Sequence, residues 1–157
     1  RIVPDIVRSI LNKDPLEIRN PLSIRPWQHV LEPLSGYIKL AELMFNNHKN
    51  NPSENCFNSS FNFGPGKSSN KKVKDLIIEF HKHWEGDYFY QEVESKLHEA
   101  SLLTLVSDKA DNLINWKPKW NFEETIKYTA EWYKNFHHKK NAFDCCIRDI
   151  DMYEKTN

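Results

Sequence analysis

The sequence predicts an α+β domain in which helices dominate and strands are short. Three observations carry that expectation. The stretch 71–84 keeps a helical period, with Val73, Leu76, Ile77, Phe80 and Trp84 on one face. Strand-like alternation comes only in small pieces such as Leu16-Glu17-Ile18. The regular strand–helix–strand alternation of a complete dinucleotide fold is missing, and so are its glycines, of which there are 4 in 157 residues.

Taken in order, Pro4 and Asp5 open a helix with Ile6, Ile10 and Leu11 on one side, and Asn12-Lys13-Asp14-Pro15 stops it. The stretch 18–42, IRNPLSIRPWQHVLEPLSGYIKLAE, organises the rest of the chain. Its prolines and lack of helical period make the first half an extended loop, with a short extended piece at 27–30. The second half is an amphipathic helix, with Leu34, Tyr37, Ile38, Ala41 and Met44 at helical spacing and Pro33 just inside its start. An Asn- and Ser-rich surface loop is expected over 49–60, and a short strand running into a turn over 61–65. Gly86 and Asp87 break the 71–84 helix, and strands are expected over 88–93 and 102–106. Ser107 caps a short helix through Ile114. The extended connector Trp116-Lys117-Pro118-Lys119-Trp120 leads to Asn121, which caps a strong helix over 122–136. The chain divides into a domain over 1–140 and a polar tail over 141–157, with a weak helix around 147–153. Trp27, Phe63, Trp116, Trp120 and Trp132 are expected in the core, with Trp132 or Tyr133 packed on Trp116 or Trp120.

Composition narrows function. Lys plus Arg and Asp plus Glu are 22 each, so the chain has no basic footprint for nucleic acid or an anionic membrane. It contains no apolar run of spanning length and no signal-peptide pattern. Cys56, Cys145 and Cys146 are odd in number and two are adjacent, which points to a reduced, cytoplasmic protein. The abrupt start at Arg1 and the scarcity of glycine suggest the back part of a longer polypeptide.

Catalytic chemistry is hard to staff from this chain. Gly64-Pro65-Gly66 lacks the third glycine and the long preceding strand of a dinucleotide fingerprint. No tyrosine has a lysine four residues later. His81 and His83 point to different sides of one helix, and no Cys/His spacing supports a metal. The remaining polar groups suit an anionic ligand. Arg1, Arg19 and Arg25 are each set beside extended or loop residues, and guanidinium forks meet diphosphate oxygens with paired hydrogen bonds. Asn62 precedes Gly64, and His98 and Glu99 follow a strand and a polar turn.

The segment RPWQHVLEPLSGY resembles the one that follows the substrate loop in CDP-glucose 4,6-dehydratases, within the extended short-chain dehydrogenase/reductase family acting on nucleotide sugars. Pro26, Gln28 and His29 are the variant that points to this branch, and WKPKW followed by a helix ending in EWY resembles the family's closing signature. The resemblance implies a small sugar-nucleotide-binding C-terminal domain whose N-terminal Rossmann domain lies outside this chain. It also implies a substrate site formed by Arg1, Glu17, Arg19, Arg25, Asn62 and His98, with Glu17 to Arg19 along the base and no catalytic residue here. The full-length enzyme would be a homo-oligomer that takes CDP-glucose and uses NAD to oxidise the sugar at C4. It would then eliminate water across C5 and C6 and return the hydride to C6, supplying deoxysugars for surface polysaccharide. This chain alone would bind no cofactor. Val106 stands where relatives carry an aspartate, and Ser101 and Leu102 where closer relatives carry His and Tyr. The alternatives are another dehydratase or epimerase of the family, or a non-catalytic binding module.

Overall fold

The computed structural model describes residues 1–50, 57–84, 90–92 and 100–156. In chain order its elements are α1 (Ile2–Asn12), β1 (Leu16–Ile18), β2 (Ile24–Pro26), α2 (Leu31–Asn50), β3 (Asn70–Lys72), α3 (Val73–His83), β4 (Tyr90–Glu92), α4 (Asp108–Ile114), α5 (Phe122–His137) and α6 (Ala142–Lys155). Among the described residues, the strands form two two-stranded sheets, β1 parallel to β4 and β2 antiparallel to β3.

α1 ends where Lys13 takes a left-handed conformation, φ 58°, and donates its N–H to Ser9 O. The reversal brings back β1 with Leu16 and Ile18 buried and Glu17 outward, the alternation of a strand with one wet face. These side chains join Ile6, Val7, Leu76, Ile77, Phe80, Trp84, Phe122, Ile126 and Ala130 in the main core. α5 starts on a reciprocal cap, in which Glu124 N donates to Asn121 Oδ1 and Asn121 N to Glu124 Oε2, both at 2.9 Å. A second core gathers Phe63, Ala110, Ile114 and Trp116.

α2 departs from its expected orientation. Leu34, Tyr37 and Ile38 are exposed, whereas Glu32 is 0% exposed. The buried carboxylate explains the rotation. Glu32 Oε1 accepts from Trp120 N at 2.7 Å, both its oxygens accept from Lys119 N at 3.1 Å, and Oε2 accepts from Tyr153 Oη at 2.7 Å. Gly36 is on the same inward side, and a Cβ there would lie 2.3 Å from the Phe63 ring. That approach is open only to glycine.

The segment expected as a tail is a packed helix. α6 buries Cys145, Asp149 and Tyr153, and Tyr153 Oη lies 3.0 Å from Ser35 Oγ, which accepts from Trp116 Nε1 at 2.9 Å. Burial pushes the Tyr153 phenol up, so at neutral pH it is a donor to Glu32. The connector tryptophans are buried as expected, but Trp120 stacks on Tyr128 at 4.2 Å, while the ring contacts of Trp132 are Tyr133 and Phe136. No strand forms over 61–65, and of 102–106 only Leu102 bridges, to Ile24. α2 also occupies the start of the stretch expected as a loop, through Asn50, and residues 51–56 lie outside the described ones.

His29 shares the α6 junction. It is buried, its Nδ1 accepts from Leu31 N at 3.3 Å, and its Nε2 lies 3.9 Å from Asp149 Oδ2. Burial lowers its pKa to about 4, so the folded chain holds it neutral while the unfolded chain protonates it near 6.5. Stability should therefore fall as pH drops from about 6.5 towards 4, by about 3 kcal/mol from this residue. The Asp149 carboxyl is shifted upward by burial, which opposes the trend at the acidic end. Urea titrations at a series of pH values between about 4 and 7 should show a shallower fall in His29→Gln than in wild type. Parallel curves would remove His29 as the cause.

Candidate functional site

The turn from α1 into β1 leaves a polar cleft of about 660 Å³ whose lining includes Arg1, Arg8, Asp14, Glu17 and Arg19. Arg8 is paired with Asp5 on its own helix, three residues back. The side chains of Arg19 and Glu17 make no hydrogen bond or ion pair with any described residue, and both residues are exposed. A guanidinium with its donors uncommitted can take a phosphate, and a carboxylate beside it can accept from a sugar or base donor. The cleft thus brings together Arg1, Glu17 and Arg19. Arg8 was missed by sequence reasoning, because nothing in a helical period says that its outer face lines a cleft formed with the next strand.

Arg25 is placed elsewhere, on the β2–β3 ribbon and not in the lining of that cleft. Its Nη1 donates to Ile24 O at 2.9 Å and to Ala100 O at 2.8 Å, so the side chain braces the backbone at Ala100. In the register Arg25 lies opposite Lys71, and both are half-buried. Lys71 was also invisible in the sequence, since cross-strand pairing over this distance leaves no local pattern.

Asn62 is exposed, beside Phe63 in the second core. Gly64 nearby donates its N–H to Ser107 Oγ at 2.8 Å. His98 lies outside the described residues. The described residues contain no group of three or more His, Cys, Asp or Glu able to hold a metal. A Cβ on Gly64 would meet Leu105 Cβ at 2.5 Å, so this glycine serves packing. No helix among the described residues is long and apolar enough to cross a membrane.

No protein-family model matches the chain. Over 98% of its length it is 36% identical to the CDP-glucose 4,6-dehydratase of Salmonella typhimurium, of which it covers 41%. A dTDP-D-glucose 4,6-dehydratase of Mus musculus is 40% identical over 73 residues, 46% of this chain and 20% of that protein. Among solved structures, dTDP-glucose 4,6-dehydratase from Bacillus anthracis in complex with NAD superposes with a TM-score of 0.63 at 18% identity, covering 88% of this chain and 40% of that one. The fold is that of the nucleotide-sugar dehydratases and epimerases, in their C-terminal domain. UDP-glucuronic acid 4-epimerase from Bacillus cereus gives the same result, with a TM-score of 0.66 at 14% identity over 84% of this chain and 39% of that one. The chain spans less than half the length of these nucleotide-sugar enzymes.

Proposed function

We propose that this chain is the substrate-binding portion of a cytoplasmic CDP-glucose 4,6-dehydratase-like enzyme. The observation that carries the proposal is the 36% identity to such an enzyme over 98% of the chain. The intact protein converts CDP-glucose to CDP-4-keto-6-deoxyglucose by net loss of water, a product that supplies deoxysugars for surface polysaccharide. NAD and the groups that do the redox work belong to an N-terminal Rossmann domain outside this chain, and the intact enzyme assembles as a homo-oligomer. Arg1 and Arg19 meet the diphosphate, Glu17 faces the nucleoside, and Arg25 with Lys71 adds a second cationic edge. Asn62 and His98 complete the substrate site.

The Rossmann domain also accounts for an exposed apolar stripe on α2. Leu34, Tyr37 and Ile38 are 43–61% exposed on successive turns, and Val30 before them is 62% exposed. A patch of this kind marks an interaction surface, and the part of the relatives that this chain does not cover is large enough to sit there.

Mass spectrometry of CDP-glucose incubated with NAD and the intact protein should show a product lighter by one water with its base retained. The chain alone should neither turn over nor bind NAD at micromolar concentration, and a hydrophobic dye bound to it should be released in the intact protein. Water loss from dTDP-glucose or UDP-glucose but not CDP-glucose would move the assignment to another dehydratase of the family. No conversion of any of the three would overturn it.

A further inference from the structure

A cleft that receives a diphosphate needs donors and positive charge, and a bare carboxylate in it works against the ligand. Three carboxylates line the polar cleft beside α1: Asp5, Asp14 and Glu17. Asp5 is taken by Arg8. Asp14 belongs to the reversal between α1 and β1. Glu17 is on β1 itself, turned outward between the buried Leu16 and Ile18, and Arg19 follows it two residues on, exposed on the same side. Two residues along a strand are separated by roughly 7 Å. The guanidinium and the carboxylate can therefore hold different parts of one ligand, and neither is consumed by pairing with the other.

We propose that Glu17 selects the base of the nucleotide sugar, its carboxylate accepting a hydrogen bond from the exocyclic N4 amine of cytosine. The assignment rests on the functional reading above, in which Glu17 faces the nucleoside. Cytosine carries an amine at ring position 4, where uracil and thymine carry a carbonyl oxygen. An ionised carboxylate has acceptors only, and an acidic side chain accepting from N4 is one of the standard ways in which proteins read cytosine. Against uracil or thymine the same carboxylate would meet a carbonyl oxygen, acceptor against acceptor, with no proton between them. Glu17 is exposed in the open cleft, so binding strips water from it, and only a donor on the ligand replaces that water. The choice of base is thus made by rejection as much as by attraction.

CDP-glucose and UDP-glucose differ only in the base, so the ratio of their dissociation constants reads this contact without the phosphate grip. Both constants are measured by calorimetric titration of the intact protein. Wild type should bind CDP-glucose at least about tenfold more tightly than UDP-glucose. Glu17→Gln offers one acceptor and one donor, suits either base, and should bring the two constants within about threefold. Glu17→Lys offers donors only and should turn the preference towards UDP-glucose. Glu17 is exposed, so both variants should keep the wild-type melting temperature. A wild-type preference for CDP-glucose that Glu17→Gln leaves unchanged would overturn this assignment while the proposed function stands. So would a preference that survives in Glu17→Gln and is lost in Asp14→Asn, which would give the base to the other uncommitted carboxylate of the cleft. Wild type that binds neither nucleotide sugar would overturn the functional reading, and this assignment with it.

Discussion

Glu32→Ala is expected to be among the most damaging single substitutions in the chain, at about 3–5 kcal/mol. Glu32 is fully buried, and its two oxygens are the acceptors for Lys119 N, Trp120 N and Tyr153 Oη. Alanine leaves the two backbone amides without acceptors and the Tyr153 phenol with only Ser35 Oγ in reach, and each orphaned donor costs about 1–3 kcal/mol. For a chain of this size the melting temperature should fall by roughly 10 °C or more. Glu32→Gln should recover only part of the loss, because its amide keeps one acceptor oxygen but turns an NH2 group towards donors. Glu154→Ala, at an exposed position near the end of α6, should stay within about 0.5 kcal/mol of wild type. Urea denaturation with unchanged m-values would measure all three. A Glu32→Ala midpoint equal to that of Glu154→Ala would mean that α6 and the connector are not held through this carboxylate.

Glu32 also marks where sequence reasoning stops. Local periodicity places Leu34, Tyr37 and Ile38 inward, and the structure turns them outward. The reason lies 87 and 88 residues away, in amides of Lys119 and Trp120 that need an acceptor. No window on one helix contains that demand. The same holds for α6, where Cys145, Asp149 and Tyr153 form its inward stripe at a spacing of four. An aspartate in the middle of a stripe disguises it as a polar tail. Where the signal is local, the elements are legible. The alternation of Leu16-Glu17-Ile18 is a strand at those three residues, and Asn121 with Glu124 caps α5 as its first residues suggest.

The geometry of the candidate cleft is legible in a similar way. Arg1, Glu17 and Arg19 line one cleft because a tight turn joins α1 to β1, so their proximity is nearly a local property. Arg25 is separated from them by its place in the β2–β3 ribbon, and its neighbour there is Lys71. Arg8, on α1 and outside the resembling motif, would pass for an inert control on sequence alone, but it lines the cleft and pairs with Asp5. Lys127, which covers the Tyr128 ring on α5, is the better choice.

The second large effect concerns binding. Arg19 is exposed and has no partner among the described residues, so its hydrogen bonds to a diphosphate would not be traded against existing ones. A charge-assisted hydrogen bond contributes roughly 1.5–3 kcal/mol, which makes Arg19→Ala weaker for CDP-glucose by about one to two orders of magnitude. Arg25→Ala should weaken binding to a similar degree through the cationic edge it shares with Lys71. It should also loosen the chain near Ala100, whose carbonyl it holds. Arg25→Lys should restore part of the affinity, since an ammonium keeps the charge but loses the fork.

The most direct measurement is the dissociation constant of CDP-glucose for the intact protein and for Arg19→Ala, Arg25→Ala, Arg25→Lys and Lys127→Ala, by calorimetric titration. We expect a loss of about ten- to a hundredfold in the two alanine variants of the site, a partial return in Arg25→Lys, and no change in Lys127→Ala. If Arg19→Ala and Arg25→Ala both bind CDP-glucose as tightly as wild type, this chain does not provide the nucleotide-sugar grip.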